Sequence, residues 1–301
     1  MRVAVSGSHG LIGSAVVPAL ESAGHQVLRL VRAEPGPGEI RWDPAAGLID
    51  RSGLEGVDGA VHLAGAGIGD RRWTATRKRE ILESRSGGTE LLSRALADLT
   101  PRPAVLVSGS AIGYYGERGD EELTEQSSAG EGFLAEVVKA WEAATAPAEN
   151  AGIRVVHIRT GIVLSAGGGV LTKQLPLFKR SLGGRLGSGR QWTSWIALHD
   201  QVAAIRHVLT HEGFEGPVNL TAPHPVTNAD FTASLARVLG KAARLAVPRM
   251  ALAAALGAEM ARETALVSQR VLPVKLEASG FAFAHPVVDE ALAAALGKEC
   301  C

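Results

Sequence analysis

Hydrophobic residues along this chain occur as short continuous runs that alternate with longer stretches of helical spacing. The β-branched run 3–5 predicts a buried strand, and Leu11, Val16 and Leu20 follow it at the spacing of one helix face. Further strands are predicted at 27–31, 58–65, 104–108 and 154–159, and helices at about 74–98, 133–150, 231–239 and 250–261. Since strands and helices alternate, the pattern predicts an α/β fold with a doubly wound parallel sheet.

A glycine-rich turn joins the first predicted strand to the first helix. Glycine lets the chain turn sharply and lets backbone N–H groups approach a pyrophosphate, to which a helix N-terminus adds partial positive charge. Because glycine makes up 36 of 301 residues, the glycines at 7, 10 and 13 alone are weak evidence for a cofactor site. The order of strand, turn and helix around them predicts a dinucleotide-binding unit. The residues expected at the cofactor are Gly7, Ser8, Gly10, Leu11, Ile12 and Gly13.

The end of the second predicted strand indicates which dinucleotide binds. A unit that binds NAD usually places Asp or Glu about 20 residues after the glycines, where it accepts hydrogen bonds from the adenosine ribose. This chain has Arg32 there, after Val31. A guanidinium cannot accept those bonds, but it matches a 2′-phosphate in shape and charge. The sequence therefore predicts NADP(H) as the cofactor.

Composition is typical of an enzyme without a polyanionic partner. The chain carries 31 basic and 31 acidic residues, and the basic run 71–79 is interpreted as a solvated face at the start of a helix. No basic n-region precedes the first strand, and no apolar stretch is long enough to span a bilayer. The two cysteines, Cys300 and Cys301, are adjacent and offer no useful disulfide. We expect a cytoplasmic protein with no nucleic-acid, membrane or metal partner.

Several motifs together resemble the extended short-chain dehydrogenase/reductase superfamily, and more narrowly its NADP-binding "epimerase family" proteins. They lie at 7–13, 58–64, 71–81, 88–92, 108–116, 186–200, 216–219 and 272–281. The resemblance covers the chain from residue 1 to about 296, and it identifies the segment from Pro248 onward as the helical extension typical of these proteins.

The resemblance also implies which residues approach the cofactor. It places Val31 and Arg32 at the adenosine phosphate, and Val163 near the nicotinamide. Small residues at the carboxyl end of a strand leave room for a cofactor in the crevice there. The other residues that we assign to the cofactor are Leu63, Ala64, Gly65, Glu80, Arg85 and Ser108. Glu80 and Arg85 are five apart on one predicted helix, so they need not share a face, and solvated surface charges are the alternative.

The expected acid/base chemistry is where this sequence departs from the superfamily. Its reductases use a Tyr-x-x-x-Lys pair, in which the ammonium lowers the pKa of the tyrosine. Here Arg118 and Gly119 follow the two tyrosines at that spacing, and Ala135 precedes Lys139. The pair is therefore missing.

Two hydroxyl groups remain near the expected nicotinamide. We assign Ser110 to hydrogen bonding with a substrate carbonyl or hydroxyl, with a loop hydroxyl that caps the backbone as the alternative. We assign Tyr114 to lining the pocket or replacing the missing acid, with a packed aromatic as the alternative.

The chain is expected to form two lobes. Residues 1–165, completed by about 195–222, form the cofactor-binding domain, and residues 166–194 and 223–301 form a substrate-binding lobe. Arg190, Gln191 and Trp192 are expected to face a ligand there, because loops over a parallel sheet usually set specificity. The Ala-rich helix at 250–261 either belongs to a lid or packs against a second subunit in a homodimer.

Two function classes stay open. The first is an NADP(H)-dependent oxidoreductase or nucleotide-sugar-epimerase-like enzyme that acts on a small molecule. The second is a protein that binds NADP(H) without turnover and signals the state of the cofactor to a partner.

Overall fold

The computed structural model describes residues 1–298, so Cys300 and Cys301 lie outside the described residues. The strands are β1 (Arg2–Ser6), β2 (Gln26–Val31), β3 (Glu39–Asp43), β4 (Leu48–Ile49), β5 (Gly59–His62), β6 (Val105–Ala111), β7 (Glu122–Leu123), β8 (Arg154–Thr160), β9 (Ile162–Leu164), β10 (Gly184–Leu186), β11 (Trp192–Thr193), β12 (Trp195–Ala197), β13 (Gly216–Leu220), β14 (Val226–Thr227), β15 (Leu245–Val247) and β16 (Arg270–Val271). The helices are α1 (Gly13–Ser22), α2 (Ala75–Ala97), α3 (Phe133–Ala143), α4 (Ala146–Asn150), α5 (Gly169–Lys179), α6 (Leu198–Thr210), α7 (Asn228–Leu239), α8 (Arg249–Leu256), α9 (Ala258–Met260), α10 (Val274–Ala278) and α11 (Val288–Ala295).

Eight strands form one sheet, in the order β13-β8-β6-β5-β1-β2-β3-β4. Every neighbouring pair in it is parallel except β3 with β4. From β1 the chain continues to β2 on one side of β1, and after β4 it crosses to β5 on the other side of β1. The direction in which strands are added thus reverses between β1 and β5. Ligands of such sheets bind outside the carboxyl ends of the strands at this point. The predicted doubly wound fold is confirmed.

Both faces of this sheet are covered by helices. In β1, Val3 and Val5 pack with α1, α6 and α10, whereas Ala4 packs on the other face with α2 and α4. This alternation is the period of two expected for a strand, and burial on both faces explains why β1 has no polar side. A separate apolar cluster joins α5, α7 and α11 with β9 and β12. No helix within residues 1–298 combines the length and the apolar character needed to cross a bilayer.

Two predicted helices are broken in the structure. The helix expected at 133–150 ends at Ala143, and α4 begins after Thr145 with Pro147 in its first turn. Proline has no N–H for the preceding helix, so it fits only a new first turn. The helix expected at 250–261 ends at Leu256, because Gly257 has a φ of +92°. Within the eight-stranded sheet, the sequence pattern did not predict β3, β4 or β13.

Candidate functional site

The glycine turn is held together by close backbone packing. Gly7 has a φ of +68°, and its carbonyl oxygen accepts a hydrogen bond from the Gly10 N–H at 2.9 Å. A Cβ added to Gly13 would overlap that oxygen and lie 2.9 Å from the Cα of Ser8, so only glycine fits there. The N–H groups of Leu11 and Ile12, just before α1, have no hydrogen-bond partner within residues 1–298. Free N–H groups at a helix N-terminus form an anion site.

The end of β5 lies directly against this turn. A Cβ on Gly7 would be 2.7 Å from the carbonyl carbon of Leu63. The N–H groups of Leu63 and Ala64 donate to Ser6 Oγ at 3.1 and 3.3 Å, and Ser6 Oγ lies 2.6 Å from Nδ1 of His62. Burial lowers the pKa of His62 to about 4, so this histidine is neutral and supports the strand end structurally.

Arg85 brings a buried positive charge to the same end of β5. One terminal nitrogen donates to the carbonyl oxygens of Ala66 and Ile81, at 2.9 and 3.2 Å. The side chain is 7% exposed, its Nε has no partner, and no carboxylate pairs with it among residues 1–298. Burial, helped by the charge of Arg77, lowers the pKa of Arg85 to about 10, so it stays protonated at neutral pH. A Cβ on Gly65 would lie 3.2 Å from this guanidinium.

The remaining predicted cofactor residues differ in their surroundings. Arg32 is exposed at the end of β2, without an ion pair or side-chain hydrogen bond to any described residue, and Val31 before it is buried. Val163 packs against the core beside α1 and α6. Glu80 is half-exposed and pairs with Arg77 at 2.7 Å, so it does not share the environment of Arg85.

Ser110 lies at the end of β6 as predicted, but its hydroxyl already has a protein partner. It donates to Oε1 of Glu142, on α3, at 2.6 Å. Arg159, beside Ser110 in the β6–β8 register, binds the same carboxylate with Nε and Nη2 at 2.8 and 2.9 Å. Ser108, two residues earlier, is completely buried. The sequence pattern does not indicate Glu142 or Arg159 as members of this site.

The charges of Glu142 and Arg159 stabilise each other. Burial alone would raise the pKa of Glu142, but Arg159, with a further hydrogen bond from Ser110, holds it below its usual value. Burial alone would lower the pKa of Arg159, but the carboxylate raises it. A carboxylate with a depressed pKa is a weak proton acceptor at neutral pH. Ser110 therefore keeps its proton and offers its oxygen lone pairs to a ligand hydroxyl.

The two tyrosines after β6 have different roles. Tyr115 is completely buried, and its hydroxyl donates to Asn219 at 2.7 Å and accepts from Arg159 at 3.2 Å. Tyr114 is partly buried, with its ring centre 3.5 Å from the guanidinium carbon of Arg159. Its hydroxyl has no hydrogen-bond partner within the described residues. Tyr114 is therefore the tyrosine whose hydroxyl is available to a ligand.

Helix α3 presents an apolar face to this loop. A Cβ on Gly113 would meet Leu134 at 3.3 Å and Val138 at 3.9 Å, which lie two turns and one turn before Glu142, respectively. Residues 134 and 138 thus have the i, i+4 spacing of a Tyr-x-x-x-Lys pair on the face toward β6, and both are apolar. Lys139 is exposed on the helix. The structure places no acid/base pair on this face.

The C-terminal region holds the loop and helix in place. The Glu263 carboxylate accepts hydrogen bonds from the N–H groups of Phe133 and Leu134, at 3.2 and 2.9 Å, and so caps α3. Gln269 Nε2 donates to the carbonyl oxygens of Ile112 and Gly116 at 3.0 and 3.1 Å. These partners are more than 100 residues apart in the sequence, so no local pattern indicates them.

Other expectations require correction. Gln191 is buried and donates to the carbonyl oxygens of Leu186 and Ala265, so it does not face a ligand. Trp192 donates to Asp120 at 2.9 Å, with Arg270 over its ring, whereas Arg190 is exposed. Loop residues are held by long-range contacts that sequence does not reveal.

The basic run 71–79 and Asp200, in the first turn of α6, are also bound to other elements. Arg72 donates to two carbonyl oxygens at the end of α8, and Lys78 pairs with Glu259 at 2.7 Å, so the run 71–79 is not simply solvated. The two carboxylate oxygens of Asp200 accept hydrogen bonds from the N–H groups of Ala284 and His285, at 2.9 and 3.0 Å.

A cleft of about 570 Å³ lies apart from these residues. It is bordered by α1, α6 and α11, and Ala15, His199, Arg206 and His285 contribute to its walls. None of the residues predicted for the cofactor or the chemistry lines it. The candidate site is therefore the crevice at the carboxyl ends of β1, β5 and β6. We choose it because its residues carry the groups needed for cofactor binding and proton transfer, although the 570 Å³ cleft lies elsewhere.

Comparison with known proteins identifies the family. The model of the NAD-dependent epimerase/dehydratase family matches residues 3–220, and a domain of unknown function, DUF1731, matches residues 247–295. The chain belongs to the NAD-dependent epimerase/dehydratase family. The DUF1731 match covers the predicted helical extension, which supplies Glu263 and Gln269 to the site.

Similar family members cover nearly the whole chain. An epimerase family protein from Mycobacterium bovis is 47% identical over 291 residues, which are 96% of each chain. The crystal structure of the human epimerase family protein SDR39U1 with NADPH has a TM-score of 0.89 and 35% identity, over 97% of this chain and 98% of that one. A nucleoside-diphosphate sugar epimerase from Corynebacterium glutamicum has a TM-score of 0.81 and 41% identity, over 99% of this chain and 58% of that one.

Proposed function

We propose that this protein is an NADP(H)-dependent oxidoreductase or epimerase-like enzyme acting on a small molecule, at the crevice between the glycine turn and the Ser110–Glu142–Arg159 group. The observation that carries this proposal is the anion cradle at the N-terminus of α1 together with Arg32 at the end of β2, which forms no ion pair within residues 1–298. The human family member with NADPH supports the same cofactor. A cytoplasmic location and a homodimer stay predictions.

The residues present fit an NADP(H) molecule. The free N–H groups of Leu11 and Ile12 would hold the pyrophosphate, and Arg32 would hold the 2′-phosphate. Arg85 has a buried Nε without a partner beside Gly65, and such a donor requires an oxygen acceptor. When bound, the cofactor supplies or accepts a hydride.

At the reacting end, the chain's own groups orient a substrate oxygen. Ser110 donates to Glu142, so its oxygen accepts a hydrogen bond from a substrate hydroxyl. Tyr114 stacks on Arg159, and its free hydroxyl is the remaining proton donor or acceptor in this loop. The apolar side chains of Leu134 and Val138 line the opposing helix face. This arrangement favours chemistry in which the Tyr114 hydroxyl donates or accepts the proton without a neighbouring lysine.

Hydride exchange tests this function. The protein is incubated with NADPH deuterated at C4 and a panel of carbonyl compounds that includes nucleotide keto-sugars, whose carbonyl carbon can accept the hydride, and label transfer is followed by mass spectrometry. We expect transfer to at least one compound. We expect Ser110→Ala to lower its rate by about 10–1000-fold, because one positioned hydrogen bond to a reacting oxygen contributes at that scale. Glu90→Gln, at an exposed pair on α2, is the control and should leave the rate unchanged.

A second candidate function is cofactor sensing without turnover. The apolar pair Leu134 and Val138, where an acid/base pair would be expected, is the observation that favours it. Tight NADPH binding with no label transfer across the panel would replace the enzyme proposal by this one. Absence of binding to a folded protein would overturn both.

Arg32 is expected to decide between the two nicotinamide cofactors. Replacing it with glutamine removes a charge-assisted hydrogen bond to the 2′-phosphate, worth about 1.5–3 kcal/mol, so the dissociation constant for NADPH should rise roughly 10–100-fold. The constant for NADH should hardly change. Fluorescence titration with each cofactor measures both values. Arg29→Gln, earlier on β2, is the matched control, and an equal loss for both cofactors would contradict this role of Arg32.

A further inference from the structure

A strongly basic surface with exposed leucines forms where β10 and β15 pair. Residues 151–199 and residues 231–258 contain no aspartate or glutamate, although the whole chain has 31 of each charge. Strand pairing of Gly184 with Leu245, and of Leu186 with Val247, joins these two acid-free segments. Seven cationic residues lie in the joined stretches: Lys179, Arg180, Arg185, Arg190, Lys241, Arg244 and Arg249. We call these stretches, 177–190 and 241–250, the basic surface.

The cations of the basic surface are free of protein partners. All seven are exposed, and none makes an ion pair or a side-chain hydrogen bond within residues 1–298. Asp230, the nearest acidic residue before the second stretch, is bound to Thr227 at the start of α7. Unneutralised charge of one sign, brought together by one strand pairing in a protein whose net charge is zero, indicates an anionic partner.

The basic surface also contains a small concave site. A pocket of about 230 Å³ is lined by Arg185 and Arg244, with Ala229, Thr232 and Ala233 of α7 as its wall and Leu245 at its edge. None of the residues assigned to the cofactor crevice lines this pocket. Two guanidinium groups around one concavity match a phosphate group, because each presents planar paired donors.

Apolar side chains protrude beside these charges. Nine large hydrophobic residues are exposed in residues 1–298, and four of them belong to the basic surface: Leu177, Leu182, Leu245 and Met250. Met250 is 84% exposed. Helix α8, which begins within the second stretch, also exposes Ala251, Ala254 and Ala255. A nucleic acid offers phosphates but no apolar layer, whereas a bilayer interface offers both.

We propose that the basic surface docks onto anionic phospholipid membranes, with Arg185 and Arg244 at a lipid phosphate and Leu182 and Met250 in the interface. This surface binds without a spanning segment, so it revises the expectation of no membrane partner, which rested on the lack of a long apolar stretch. It is independent of the cofactor crevice. Its two stretches are more than 50 residues apart in the chain, so no local sequence pattern indicates this surface.

Vesicle flotation of the full chain tests this docking. Vesicles of phosphatidylcholine alone are compared with vesicles of phosphatidylcholine and phosphatidylserine in equal amounts. We expect binding to the mixed vesicles only, with loss at high salt. The double variant Arg185→Gln/Arg244→Gln should lower the partition roughly 25-fold, at roughly five-fold for each charge. The control variant Arg79→Gln/Arg206→Gln removes two exposed arginines outside the basic surface. Its partition onto the mixed vesicles should fall by less than about two-fold.

Other outcomes would overturn the proposal. Leu182→Ser/Met250→Ser should weaken vesicle binding while leaving its salt dependence intact, and unchanged binding would show that no apolar insertion occurs. Calorimetric binding of inorganic phosphate at Arg185 and Arg244 without vesicle binding would assign a soluble phosphate site instead. Binding to polyuridylate that exceeds vesicle binding would assign a nucleic-acid surface. Self-association abolished by Met250→Ser, without vesicle binding, would assign this face to a second copy.

Discussion

Replacing Gly13 by alanine is expected to abolish tight NADPH binding. The added Cβ would overlap the carbonyl oxygen of Gly7, so the turn must open. Opening moves the free N–H groups of Leu11 and Ile12, which would donate to the pyrophosphate. Charge-assisted hydrogen bonds contribute about 1.5–3 kcal/mol each, so losing two predicts binding weaker by at least about 100-fold. Calorimetric titration with NADPH measures this change.

The matched control for Gly13 is Gly87, an exposed glycine within α2. A Cβ there meets no atom within 4 Å, so Gly87→Ala should bind NADPH normally. It should also raise the free energy of unfolding by about 0.5–1 kcal/mol, because glycine disfavours helix. Normal NADPH affinity in a folded Gly13→Ala protein would show that the glycine turn does not hold the cofactor.

The cofactor end of the crevice could be predicted because its signals are local. Gly7, Gly10 and Gly13 lie within one strand–turn–helix unit, and Arg32 follows on the next strand. Each of these positions is set by backbone geometry that a single βα unit determines by itself. The same is true of β1, β2, β5, β6 and β8, whose apolar runs were identified to within a few residues.

The reacting end could not be predicted, because distant elements build it. In the sequence, Glu142 is indistinguishable from the other charged residues of an amphipathic helix, and Arg159 is indistinguishable from an ordinary residue at the end of a strand. Only the order of β6 beside β8, with α3 packed across them, brings both to Ser110. Glu263 and Gln269 approach from the C-terminal extension, whose strand β16 pairs with β7. Both strands have only two residues, so the sequence shows no pattern that would predict this pairing.

Replacing Arg159 by leucine is expected to lower the free energy of unfolding by about 3–5 kcal/mol, since it leaves the Glu142 carboxylate buried without its partner. Arg159 is 3% exposed and Glu142 is 12% exposed, so water cannot substitute for the lost bonds. Chemical denaturation at neutral pH measures the change. Arg94→Leu, which breaks an exposed pair with Glu90 at 2.6 Å, should cost less than about 0.5 kcal/mol.

The pH dependence distinguishes a lost ion pair from a simple packing defect. In the wild type the pKa of Glu142 is depressed, so its contribution is complete above the pKa of the unfolded chain and is lost as pH falls through the folded value. Without Arg159, burial is the dominant influence and raises the pKa of Glu142. The free energy of unfolding of the variant should therefore increase, relative to that of the wild type, as the pH falls toward about 5, which is still above the usual pKa of a carboxyl group. The double variant Glu142→Leu/Arg159→Leu contains no buried charge at this place. It should therefore show no increase in stability relative to wild type at low pH, and it should be more stable at neutral pH than Arg159→Leu alone. If both single and double variants follow the wild-type pH profile, the carboxylate is not the source of the effect, and the role assigned to the pair in holding Ser110 fails with it.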